Sequence, residues 1–310
     1  MFSVIFPGQG SQSVGMAKNL YNSHHYVRET FKKADSILNF SLSKIILEGP
    51  IEDLNRTENT QPGIFLVSHC IYELIKKETN LDLNKAKFFA GHSLGEYSAL
   101  SACESINFDQ TIKLLKIRGK AMQSAVPEGE GGMIAILGTE ISIITNLLKE
   151  NENKYKCYIA NDNSNGQIVV SGKIKDLDLL AEDLKKNSIK NILLPVSAPF
   201  HCKLMSSATK VMEKEIMSTN FKNPRNNIIS NVTSKEISDA EKIKKLLIQQ
   251  IESPVRWRES INYMIKCGVK KFVEIGPGKV LSGLIKRIDR SVGIVSVNEL
   301  DDLKNIDLND

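Results

Sequence analysis

The sequence predicts an α/β fold: a main unit built on a parallel sheet, with a smaller α/β unit inserted into it. Three observations predict this. A short apolar strand at 87–90 runs through Gly91-His92-Ser93-Leu94-Gly95 directly into a helical pattern near Glu96. Other short apolar runs, at 4–6, 226–230 and 271–275, have the length and texture of buried strands, and turn-forming residues break the first and follow the last. The middle of the chain follows the order β-α-β-β-α-β, which closes on itself as a ferredoxin-like unit.

Taken in order, the strand at 4–6 stops at Pro7-Gly8-Gln9-Gly10-Ser11. Over 61–77, Ile64, Val67, Ile71, Leu74 and Ile75 recur at helical spacing. After the strand at 87–90 and its helix comes a second amphipathic helix over 108–125, with Phe108, Thr111, Leu115 and Met122 on one face. The middle unit reads as strand 132–137, helix 141–150, strands 155–160 and 167–171 around an Asn/Asp/Gly turn, helix 174–186 and strand 190–195. Pro127-Glu128-Gly129-Glu130-Gly131 and Ala198-Pro199 bracket it, so the predicted division is 1–126 with 198–310, interrupted by 127–197. The strand at 271–275 leads through Gly276-Pro277-Gly278 to a last helix, and the acidic stretch 296–310 is expected to be a frayed, solvated end.

Composition narrows the function. The chain has 310 residues, 41% hydrophobic and 25% charged, with 19 Gly and 9 Pro, which excludes disordered and collagen-like classes. No apolar run approaches the ~20 residues of a membrane span, and no basic leader precedes the first apolar stretch. Five cysteines, scattered and odd in number, form neither a disulfide framework nor a metal pattern and point to a reducing cytoplasm. A net charge of +5 is too small and dispersed for a nucleic-acid binder. It does allow a basic face toward an acidic partner, with clusters at Lys185, Lys186 and Lys190 and along 266–290.

The strand–turn–helix setting turns G-x-S-x-G from a loose pattern into a candidate nucleophile elbow. Its bland alternative is a structural turn. In the catalytic reading Ser93 is exposed above the sheet end, and the Leu94 N–H, at a helix start, can donate to an oxyanion. Of five histidines, His24 and His25 lie in a polar stretch, His69 lies within a helix, and His92 sits inside the elbow pointing away from the hydroxyl. His201, in the non-helical segment Ala198-Pro199-Phe200-His201-Cys202, is by elimination the candidate base. Arg118 falls on the apolar stripe of its helix, where an unpaired guanidinium is costly. An internal ion pair and a clamp for a substrate carboxylate both answer that cost.

Six segments in order carry a resemblance along nearly the whole chain. They are Phe6-Pro7-Gly8-Gln9-Gly10-Ser11-Gln12; Gly91-His92-Ser93-Leu94-Gly95-Glu96-Tyr97; Arg118-Gly119 with Met122-Gln123; Phe200-His201-Cys202 with Leu204-Met205; Ser253-Pro254-Val255-Arg256-Trp257; and Glu274-Ile275-Gly276-Pro277-Gly278. The chain resembles the malonyl-CoA:acyl-carrier-protein transacylase family of type II fatty acid synthesis. The resemblance implies an α/β-hydrolase-like main domain with the inserted ferredoxin-like one. It implies Ser93 as acylated nucleophile, His201 as base, Arg118 as partner of the malonyl carboxylate, and the N–H groups of Gln9 and Leu94 as oxyanion hole. It further implies that Gln250 orients His201 through a carbonyl, that Asn161 and Asn163 lie near the site, and that Phe200 belongs to the malonyl-selecting version of its segment. Malonyl-CoA and acidic holo acyl carrier protein are the implied partners of a monomer, with no cofactor or metal. The rival readings are a serine hydrolase or thioesterase, which would turn over with water alone, and a non-catalytic carrier-binding subunit.

Overall fold

The computed structural model describes every residue except 197, 300 and 303–310. Ten strands form two sheets: β1 Phe2–Phe6, β2 Phe88–Gly91, β3 Gly131–Leu137, β4 Cys157–Ser164, β5 Gln167–Lys173, β6 Lys190–Leu193, β7 Asn227–Ile229, β8 Glu236–Ile237, β9 Lys271–Ile275 and β10 Gly293–Val297. The larger sheet has the order β10-β9-β1-β2-β7-β8. All its pairings are parallel except the terminal β7–β8 pair.

Strand alternation explains why this sheet needs cover on both faces. Val4 and Phe6 of β1 point into the larger core with Phe65, Ile71 and Leu115, from the helices Thr57–Glu78 and Phe108–Gln123. Ile5 points the other way, into a second core with Trp257, Ile261 and Leu284. The chain leaves β1 for β2 and β7 on one side and returns to place β9 and β10 on the other. Such a switch of direction opens a crevice at the carboxyl ends of the strands, where ligands bind in open α/β sheets.

The second sheet is antiparallel with the order β4-β5-β3-β6. Ile134, Ile136, Ile168 and Val170 pack one face against Ile144, Leu177 and Leu180 of the helices Ile141–Glu150 and Ile174–Lys186. The alternate residues Met133, Ala135 and Val169 join the large core instead. Val255, which packs with Ile5 and Trp257 in the second core, ties that core to β4 through its backbone: its N–H donates to Ala160 O at 2.8 Å and its carbonyl accepts from Asp162 N at 3.0 Å. Beside it, the buried Asp162 carboxylate pairs with Arg258 Nη2 at 2.8 Å.

Two expectations need correction. The predicted frayed end begins as structure: Ser296 and Val297 complete β10 in register with Glu274 and Ile275, and Glu299 accepts from Asn19 Nδ2 at 2.9 Å. The acidic run there follows an edge strand that is only half buried and so lacks the apolar texture of β1 and β9. Positions 303–310 of that prediction, and the boundary position 197, lie outside the described residues. The strand expected at 155–160 instead runs Cys157–Ser164, so Asn161 and Asn163 are strand residues, held by pairing with β5 despite their low strand propensity.

Candidate active site

The site is built at the carboxyl end of β2. Gly91 and Gly95 let strand, turn and helix close up: a Cβ on Gly91 would lie 2.0 Å from the Gly95 carbonyl group. Ser93 takes up the bend, with φ 54° and ψ −107°, a sparsely populated conformation that costs about 1–3 kcal/mol for a residue with a side chain. Two side-chain amides hold it there. Asn231 Oδ1 accepts from Ser93 N at 2.7 Å while Asn231 Nδ2 donates to Gly91 O at 2.8 Å. Gln250 Nε2 donates to Ser93 O at 3.1 Å.

His201 follows β6, also at positive φ (58°), and is 4% exposed. Its Nδ1 lies 2.8 Å from the Gln250 backbone carbonyl and its Nε2 lies 2.8 Å from Ser93 Oγ. A carbonyl only accepts, so Nδ1 carries the proton and Nε2 presents a lone pair to the hydroxyl. Burial, then the neighbouring Arg118 charge, push the imidazole down to about 3, so it is neutral near neutrality. His92 is turned elsewhere: its Nε2 meets Asn163 Oδ1 at 2.8 Å and its ring packs on Trp257. His69 is a buried core residue beside Phe65 and Phe108.

Arg118 is 1% exposed. Its Nη1 donates to Gln61 Oε1 at 2.8 Å, and its Nη2 donates to Gln250 Oε1 at 2.8 Å and to Ser93 Oγ at 3.1 Å. These partners are amide and hydroxyl oxygens; no carboxylate in the described residues forms a salt bridge with this guanidinium. Of the two sequence readings of its burial, the internal ion pair is therefore not made. Burial lowers its pKa while the nearby Tyr97 and Glu96 oppose that shift.

Gln9, Gln61, His92, Ser93, Arg118 and His201 line the polar part of a pocket of about 150 Å³. Met122, Met133, Val169, Leu194, Val196 and Phe200 form its apolar wall. At ~30 Å³ per water the space admits a short acyl group rather than a long chain. Leu94 begins the helix Leu94–Ala102, so its N–H has no acceptor within that helix, and with Gln9 it borders the same pocket. Asn161 and Asn163 are there too, on the strand that crosses from the second sheet.

Residues 3–301 match the acyl transferase domain family. The malonyl CoA-acyl carrier protein transacylase of Haemophilus influenzae is 40% identical over 300 residues, covering 96% of each chain. That of Bacillus subtilis is 41% identical, covering 95% of this chain and 92% of its own. This chain belongs to the malonyl CoA-acyl carrier protein transacylase family. Among solved structures, an acyl-carrier-protein S-malonyltransferase from Bartonella henselae superimposes with a TM-score of 0.95 at 40% identity, covering 98% of this chain and 97% of its own. A malonyl-transacylase in complex with its type II polyketide acyl-carrier protein superimposes at 0.93 with 37% identity, covering 97% of each chain.

The transacylase site also contains residues that sequence reasoning did not single out. Asn231, Gln61 and Glu96 are polar residues separated by tens of positions from their partners; no short motif announces Asn231 or Gln61, and the motif that contains Glu96 does not show its partners. Glu96, 2% exposed, accepts from Gln250 Nε2 at 2.8 Å and from Asn231 N at 3.1 Å, and burial pushes its carboxyl up to about 7. A charged residue inside the apolar elbow helix, one turn before Leu100, was the available signal.

Proposed function

We propose that the chain transfers malonyl from malonyl-CoA to the phosphopantetheine thiol of holo acyl carrier protein through a malonyl ester on Ser93. One observation carries the reading. A buried guanidinium with no carboxylate partner among the described residues sits 3.1 Å from a serine Oγ that an imidazole lone pair faces. A short acyl thioester with a terminal carboxylate supplies both the electrophile and the missing anion.

His201 Nε2 takes the Ser93 proton as Oγ attacks the thioester carbon. The carbonyl oxygen becomes an oxyanion held by the N–H groups of Gln9 and Leu94, the second aided by its helix start. The C–S bond breaks, and the imidazolium returns its proton to the departing coenzyme A sulfur. The carrier thiol then gives its proton to His201, attacks the ester carbon and releases Ser93 Oγ, which recovers the proton. The Gln250 carbonyl keeps the tautomer right without an acidic third member. Arg118 pairs with the malonyl carboxylate, and Phe200 closes the wall against bulkier groups. Asn161 and Asn163 fix the pocket edge.

We read the larger sheet and its helices as an α/β-hydrolase-like catalytic domain, 1–126 with 198–310, and the β4-β5-β3-β6 unit as a ferredoxin-like insertion over 127–197. The reaction needs no cofactor. The carrier in this reading is acidic and docks on a basic face of a cytoplasmic monomer.

Intact-protein mass after brief mixing with malonyl-CoA tests the proposal. A malonyl adduct that persists in water and is discharged by holo but not apo carrier protein is the expected result. An adduct lost equally fast without a thiol acceptor means a hydrolase, and no adduct means a binding subunit. In Arg118→Ala, malonyl acylation should fall by about tenfold or more relative to acetyl acylation, since a charge-assisted contact is worth about 1.5–3 kcal/mol.

A further inference from the structure

The side chain of Gln250 lies between opposite charges. Its Nε2 donates to Glu96 Oε2 at 2.8 Å and to Ser93 O at 3.1 Å, while its Oε1 accepts from Arg118 Nη2 at 2.8 Å. Only one orientation of the amide satisfies these neighbours. Turned over, its N–H groups would face the guanidinium donor and its oxygen would face a carboxylate and a carbonyl, losing every bond. The Ser93 carbonyl and the Glu96 carboxylate both favour the observed orientation. Only Glu96 adds a charge and belongs to a side chain free to be replaced.

We propose that Glu96 is a positioning residue for acyl-group selection: it fixes the Gln250 amide so that Oε1 aims Arg118 at the substrate carboxylate. The arrangement is an ion pair with an amide inserted between its members. A direct Glu–Arg pair would occupy the guanidinium, and an incoming anion would have to displace it. With the amide between them, Glu96 balances the buried charge at a distance and leaves Arg118 open toward the pocket. The same carboxylate oxygen accepts from Asn231 N, tying this alignment to the residue that holds the Ser93 backbone.

This inference rests on the proposal that Arg118 binds malonyl, so the experiment separates the two. Rates of Ser93 acylation by malonyl-CoA and acetyl-CoA are measured by intact mass for the wild type, Arg118→Ala, Glu96→Ala, Glu96→Gln and Gln250→Met. Glu96→Ala should lower the malonyl-to-acetyl ratio by about tenfold, the loss of one charge-assisted alignment. Glu96→Gln keeps an oxygen that can accept from Gln250 Nε2 and should restore the ratio to within about threefold of wild type. Gln250→Met keeps the carbonyl that serves His201 but removes the amide. It should reproduce the Glu96→Ala ratio, and the double variant should lose no more than either single one. Where Glu96→Ala does not fold, Gln250→Met and Glu96→Gln carry the same test. Equal loss of malonyl and acetyl acylation in Glu96→Ala and Gln250→Met, with the ratio still shifted in Arg118→Ala, overturns this inference alone. An unshifted ratio in Arg118→Ala overturns the role of Arg118 and this inference with it.

Discussion

Two corners of the larger sheet turn from strand to helix within a few residues, and they use the same materials differently. After β9, Gly276-Pro277-Gly278 makes the turn, and the unusual dihedrals fall on glycines, at φ 140° and 76°. The buried Glu274 at the strand end then occupies the helix start, accepting from Leu281 N at 3.0 Å, Ser282 N at 2.8 Å and Ser282 Oγ at 2.6 Å. After β2, the unusual dihedral falls on Ser93 instead, and the buried Glu96 turns to Gln250 and Asn231, 154 and 135 positions away. At the β9 corner the N–H groups of the helix start are consumed by the chain itself. At the β2 corner Leu94 N borders the pocket, open to a ligand. In the proposed reading, a strained non-glycine beside an unspent helix start marks the β2 corner as the working one and the β9 corner as structural.

The largest expected effect breaks the comparison at its centre. Ser93→Ala should abolish the acyl adduct and lower transfer by at least about 10⁴-fold, as loss of a nucleophile does elsewhere, while the fold melts as a single transition. Retained transfer would mean that the β2 corner is as structural as the other. Mass spectrometry and a thermal melt check both halves.

The next effect separates the two carboxylates by pH. Glu96 in the folded chain gives up its proton near 7, against 4.5 for an ordinary glutamate, because burial disfavours the charge. Between those values the unfolded chain is ionised and the folded one is not, so stability falls as pH rises through this window. Glu96→Gln should remove a pH-dependent loss on the order of 3 kcal/mol from denaturant unfolding curves at about pH 5 and about pH 8. Curves that change with pH in the variant as they do in the wild type would show that Glu96 carries no such charge cost.

A smaller effect concerns the base at the working corner. With His201 held near 3, Ser93 acylation by acetyl-CoA should change less than about threefold from pH 8 to 5.5, where an ordinary imidazole would cost about tenfold. Stopped acylation time courses across that range decide it. The smallest effect lies at the other corner. Glu274→Gln should cost about 1 kcal/mol of stability, because an amide has one oxygen where Leu281 N and Ser282 N now use both carboxylate oxygens, without changing acylation.

Local patterns made the frame legible. Strand length, helical spacing and the order of elements yield four strands of the larger sheet and all of the smaller one, and G-x-S-x-G in its strand–turn–helix setting points to Ser93. Arg118 shows itself as a charge on an apolar stripe, and His201 as a histidine in an irregular segment. What escaped is what depends on distant chain. β8 has two residues, too few for a pattern, and β10 is a half-buried edge strand that runs into the acidic tail. Asn231 and Gln61 are ordinary polar residues until folding brings them to Ser93 N and Arg118. The same holds for Glu96: its position in the motif was plain, but its partners come from segments that only the folded sheet brings near. The Glu274 cap spans seven and eight positions and is the kind of contact a sequence can suggest.

Gln250 divides its labour between backbone and side chain. Its carbonyl, which every amino acid would supply, serves His201; its amide, which few would, serves Arg118. In the proposed mechanism nucleophile activation draws on the carbonyl of this residue and acyl choice on its side chain, which also donates to Ser93 O. A chain descended from this one that exchanged this side chain would keep the carbonyl facing His201 but would need another donor for Ser93 O. In the proposed mechanism position 250 is therefore a dial for substrate range mounted close to the engine.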